Sequence, residues 1–118
     1  MKKSTVIEQT LATAAMAIVT LEGGGVPNRN GVDKWSEALL RYVLNDNQGN
    51  YNPNPPQRTH AQRIENLQYQ FDNLEINQGS ATEAIQILNN FIAAVHDATD
   101  TMTNLGVEII WEPIFDRN

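Results

Sequence analysis

The chain contains no cysteine. That excludes disulfides, zinc–thiolate sites, iron–sulfur clusters and thiol chemistry. Lysine is nearly missing as well, occurring only at positions 2, 3 and 34. Eight Lys and Arg stand against fourteen Asp and Glu, for a net charge of −6. An acidic chain of this kind is a poor nonspecific ligand for phosphate backbones or anionic lipid, so neither nucleic acid nor membrane is an expected partner. The acids are scattered and not in runs, which also argues against a nucleic-acid mimic. Much of the polar surface must then be Asn, Gln and Thr, which desolvate more cheaply than Lys and Glu and favour packing against other subunits.

Catalytic signatures are missing too. Glu22-Gly-Gly-Gly is followed by no Gly-Lys-Ser/Thr, so a helix stop explains it better than a phosphate cradle. Ser4, Ser36 and Ser80 have no nucleophile-elbow context. His96 and Asp100 stand one helical turn apart, but no Glu-x-x-His pattern accompanies either His60 or His96. Asp97 with Asp100 and Asp72 with Glu75 are carboxylate pairs at helical spacing, best explained as solvated faces. The segment VPNRNGVDKWSE, 26–37, has the spacing of a calcium loop. Val26 replaces its first carboxylate, and Asn, Gly and Asp33 are accounted for by a turn and an N-cap. No catalytic residue, metal ligand or cofactor site is therefore expected.

What is present is 118 residues with 41% hydrophobic content, enough for one folded domain. Residues 11–21 form an apolar run behind Lys2 and Lys3. Glu8 and Gln9 interrupt the approach, no small-x-small site follows, and the run is short for a membrane span, so a core helix of a cytoplasmic protein is expected.

Four segments carry helical periodicity. The first covers 4–21, with Ile7, Leu11, Ala14, Ile18 and Leu21 on one stripe and small Ala12, Ala15 and Ala17 beside it. The second covers 33–45, capped by Asp33, with Trp35, Leu39, Tyr42 and Val43 inward. The third starts at a Thr59-x-x-Gln62 capping box and carries Ile64, Leu67, Phe71 and Leu74. The fourth starts at a Ser80-x-x-Glu83 box and carries Ala81, Ile85, Leu88, Ile92, Val95, Thr99 and Met102, ending near Gly106. Trp35, Tyr42 and Phe91 read as core residues, not a ligand cage.

The expected fold is all-α: a four-helix bundle over 1–106 with one short helix, followed by an extended C-terminal arm over 107–118. The arm holds VEIIWEPIF, β-branched and aromatic, with Pro113 barring a helix or a central strand.

Residues 45–57, NDNQGNYNPNPPQ, carry five Asn, three Pro and a single charge. They lack the carboxylates for a cation and read as a rigid spacer, with Tyr51 and the Pro-rich stretch as a second, docking reading. The expected partner-binding residues are Ile109, Ile110, Trp111, Ile114 and Phe115 of the arm, with Tyr51. The leading functional expectation is a non-catalytic assembly or interaction subunit, such as a structural component of a phage particle or another multi-subunit complex, and a homo-oligomer. The alternatives are a small-molecule-binding or enzymatic bundle with a site between helices, and a regulatory or immunity-type protein binder.

Overall fold

The computed structural model describes residues 2–44, 55–76 and 79–104, leaving out the side chains of 55–57 and 104. Among these residues there are four α-helices and no strand: α1 Lys3–Glu22, α2 Arg29–Ala38, α3 Pro55–Asn73 and α4 Ala81–Asn104. Each helix packs against the next in sequence, and α1 also packs against α4.

Pairwise contacts give the directions. Thr10 reaches Trp35, and Thr13 lies against Gly31, so α2 runs antiparallel to α1. Ser36 meets Gln68 while Arg29 meets the end of α3. His60 meets Thr101 and Arg63 meets Asp97, so α3 and α4 form the antiparallel hairpin expected from their short turn. It follows that the start of α1 and the ends of α2 and α4 share one end of the molecule.

Ile7, Ala14, Leu21, Val32, Leu39, Ile64, Phe71, Leu88, Phe91 and Met102 belong to one continuous buried cluster. Helix α3 buries the expected Ile64, Leu67 and Phe71, with Leu74 packed at the margin. On α4 the buried face is turned from the expected stripe. Ala84, Leu88, Phe91, Val95, Ala98 and Met102 form its centre, while Ile85 and Ile92 lie at its edge. Phe91 and the small residues Ala84, Ala94 and Ala98 face the core because α4 is covered from two sides, by α3 and by α1.

Two helix starts differ from expectation, while that of α4, behind Ser80, is as expected. Helix α2 begins at Arg29, not Asp33: the Asn28 side chain caps it, accepting from the Gly31 amide at 3.0 Å. Gly31 thus lies inside the helix, where a Cβ would come within 3.1 Å of the Thr13 methyl, so glycine lets α1 and α2 approach. Helix α3 begins at Pro55, so Thr59 and Gln62 lie within it and form no capping box. Proline is well suited to a first helical turn, where its missing N–H costs nothing. At the start of α4, the Ser80 hydroxyl donates to the Glu75 carbonyl, tying the helix to the preceding chain.

Helix α2 ends in a π turn, Leu39–Val43, closed by Leu44 N–H on the Leu39 carbonyl at 3.0 Å. A π turn holds one residue more than an α turn. It brings Val43 and Leu44 together beneath Leu39, and all three are buried. The same widening swings Tyr42 out to solvent, against its expected core position, and Trp35 is only partly buried.

The glycine stop after α1 is as expected. Gly25 N–H bonds the Thr20 carbonyl and Gly24 N–H the Leu21 carbonyl, the paired bonds of a Schellman cap. Gly24 has φ +83° and no atom within 4 Å of a built Cβ, so only backbone strain opposes a side chain there. Gly24→Ala is therefore expected to cost about 1 kcal/mol in urea denaturation.

The arm over 107–118, its residues Ile109, Ile110, Trp111, Ile114 and Phe115, the cap at Gly106, and Tyr51 with most of the Asn- and Pro-rich stretch all lie outside the described residues.

Candidate functional site

Two places on the described surface depart from an ordinary helical protein. The first is the outer face of α1. Residues at spacings of three and four, Ala12, Ala15, Met16 and Val19, point away from the core, and Val26 follows in the connection to α2. Met16 is 70% exposed, Val19 66% and Val26 79%. By length and composition helix α1 is long and apolar enough to cross a membrane. It exceeds the apolar run 11–21 because residues 3–10 join the same helix, with Val6, Ile7 and Thr10 buried. Its inner face packs on α2 and α4.

The second is a polar cluster between α2 and α3. The Arg29 guanidinium donates from Nη1 to the Phe71 and Asp72 carbonyls at 2.9 and 2.6 Å, and from Nη2 to the Leu74 carbonyl. These are the orphan acceptors of the α3 C-terminus, and a cation is favoured at that end of a helix dipole. The same group lies 5.4 Å from the Phe71 ring centroid. Below it, buried Ser36 donates to Gln68 Oε1 at 2.7 Å, which turns the Gln68 amide so that Nε2 faces Asp33 Oδ1 at 3.3 Å.

Asp72 completes the cluster. Its Oδ1 is buried and faces no N–H or O–H donor. Its carboxyl pKa is raised from 3.8 to about 7. Burial is the main cause, followed by a hydrogen bond with the Asp33 carboxyl and the charge of Asp33; Arg29 opposes the rise. Asp72 was expected on a solvated face with Glu75. The charge that raises it further is that of Asp33, distant in sequence, and Glu75 is exposed. No local pattern could have joined the two, because their interaction is created by the α2–α3 packing.

The remaining sequence candidates stay apart. His96 and Asp100 are exposed on α4, and no group of three metal-ligating side chains occurs among the described residues. Asp97 forms a surface ion pair with Arg63 at 2.8 Å, and Glu37 pairs with Arg41 at 3.1 Å. Residues 26–37 do not form a calcium loop, since most of them are helical and Asn28 is used as a cap.

An open groove of about 550 Å³ runs along α3 and α4, lined by Thr59, Gln62, Arg63, Asn66, Gln70 and Asn90 over Leu67. It contains neither His96 nor any carboxylate. At the end of the molecule shared by α1, α2 and α4, Ser4 Oγ and Glu8 Oε2 are buried without a hydrogen-bond partner. Sequence reading had no means to find them, because both look like ordinary polar positions near the start of a helix. The sequence matches no family model, no curated protein and no solved structure.

Proposed function

We propose that this chain is a non-catalytic assembly subunit: a four-helix bundle with a short second helix, whose C-terminal arm docks on another copy of itself. The observation that carries this reading is the outer face of α1, where Ala15, Met16 and Val19 lie exposed in one stripe. Scattered single apolar residues need no explanation, but an apolar stripe along one helix does.

The occupant of that stripe is the segment 107–115, VEIIWEPIF, from a second copy. Three points support the match. The segment has five large apolar residues, Ile109, Ile110, Trp111, Ile114 and Phe115, which would be an aggregation hazard if left in water. The four helices already bury a continuous core made from described residues, so that core has its own cover. Finally, nine residues of extended chain reach about 30 Å, roughly the length of α1. The copy that receives the arm gives its own arm onward or back, so the assembly is a homo-oligomer, either free in the cytoplasm or within a larger particle such as that of a phage.

Multi-angle light scattering on the full chain tests this. The expected result is a dimer or larger species. Val19→Glu and Trp111→Glu should each convert it to monomer while circular dichroism keeps the same helical content. A full-length chain that stays monomeric across all accessible concentrations overturns the reading.

A further inference from the structure

We propose that Asn30-Gly31 is a site of spontaneous deamidation, held back by the Asn28 cap, and that its modification releases Arg29 from the end of α3. The Gly31 backbone nitrogen attacks Cγ of the Asn30 carboxamide and gives up its proton to water. A C–N bond forms, the Cγ–Nδ2 bond breaks, ammonia leaves and a succinimide ring remains. Water then opens the ring at either carbonyl. One opening leaves Asp at position 30. The other leaves isoaspartate, in which the backbone runs through Cγ.

Three features single out this position. It is the one Asn-Gly step in the chain, and glycine has no side chain to shield its nitrogen. Asn30 is exposed in the first turn of α2, so water reaches its carboxamide. The glycine itself is held there by packing, because a Cβ at position 31 would come within 3.1 Å of the Thr13 methyl and push against α1.

The fold restrains the same bond in two ways. Arg29–Ala38 is helical, and in a helix each side chain leans toward the N-terminus, away from the nitrogen of the next residue. The Gly31 N–H also donates to Asn28 Oδ1 at 3.0 Å. The nitrogen that must lose its proton and turn toward Asn30 is thus tied to a different side chain. Attack requires the first turn of α2 to open, and the cap opposes that opening.

The consequence falls on Arg29, the residue just before. Its guanidinium serves the carbonyls of Phe71, Asp72 and Leu74 at the end of α3. Isoaspartate puts an extra backbone carbon between Arg29 and Gly31, so Arg29 loses its register with the rest of α2 and its aim at α3. The ammonia is lost for good, which makes this a one-way change that accumulates with the age of the molecule.

Peptide mapping by mass spectrometry with isoaspartate detection, on the full chain aged at mildly alkaline pH, forms the test. Residue 30 should be modified slowly in native buffer and faster in guanidinium chloride. Asn28→Ala should speed the native reaction by about five-fold, the gain in opened population expected from a lost cap. Asn28→Ser restores an acceptor and should return the rate close to that of the original chain. In denaturant all three chains should react alike, which separates the cap from any effect on the chemistry itself. The isolated isoaspartate form should melt in denaturant close to Arg29→Ala. The proposal is overturned if residue 30 stays intact in denaturant, if the native chain reacts as fast as the unfolded one, if folded Asn28→Ala keeps the original rate, or if the isoaspartate form melts like the unmodified chain.

Discussion

Phe91→Ala is expected to lower the unfolding free energy by about 3–5 kcal/mol in urea denaturation. The side chain is 1% exposed and stands at the middle of α4, the helix covered by both α3 and α1. Removing the ring leaves a cavity that rigid helices on two sides cannot close, so the lost transfer free energy is joined by a cavity term. For a domain with a total stability of ~5–15 kcal/mol this is a large fraction. Glu83, exposed in the first turn of the same helix, gives the contrast: Glu83→Ala should cost about 1 kcal/mol or less, as a weakened helix start. If the two variants melt in the reverse order, the packing of α4 described above is wrong.

Arg29→Ala is the second substitution with a large expected effect, about 2 kcal/mol from lost charge-assisted hydrogen bonds. One guanidinium serves the carbonyls of Phe71, Asp72 and Leu74 and also covers the Phe71 ring. The site is only part-buried, so water can replace some of these bonds and the loss stays below that of a buried ion. Arg29→Lys should recover little, because an ammonium cannot present a planar fork to several acceptors while lying on an aromatic face. A second readout separates this from a generic packing defect. Arg29 lowers the Asp72 pKa, so its removal should move the Asp72 titration to still higher pH. A variant that is destabilised but leaves that titration unmoved would mean that Arg29 acts through α3 capping alone.

How much of this was legible beforehand depends on the range of the interaction. Ile64, Leu67, Phe71, Leu88, Val95 and Met102 were readable because each repeats at helical spacing, and all are buried. The glycine stop was readable because left-handed backbone at Gly24 has few other solutions. The starts of α2 and α3 were misread through one shared cause. Asp33 and Thr59-x-x-Gln62 are good local caps, but Asn28 and Pro55 offered acceptable starts one turn earlier, and the longer helices bury more. Tyr42 was misplaced because periodicity assumes a constant turn, and the π turn breaks it. The effect of Asp33 on Asp72 and the Arg29 clamp were illegible in principle. They exist only where two helices meet, and each residue alone looks like surface.

The widened turn at Leu39–Val43 makes the length of α2 adjustable. An i→i+5 turn differs from an i→i+4 turn by one residue. Deleting the exposed Arg41 would let Leu44 keep its bond to the Leu39 carbonyl, now with ordinary α spacing, and stay beneath the core. Everything from Arg29 to Leu39 would keep its register against α1 and α3. The chain thus has a point where a single codon can be lost without unthreading the rest, a tolerance that the evenly wound α4 lacks.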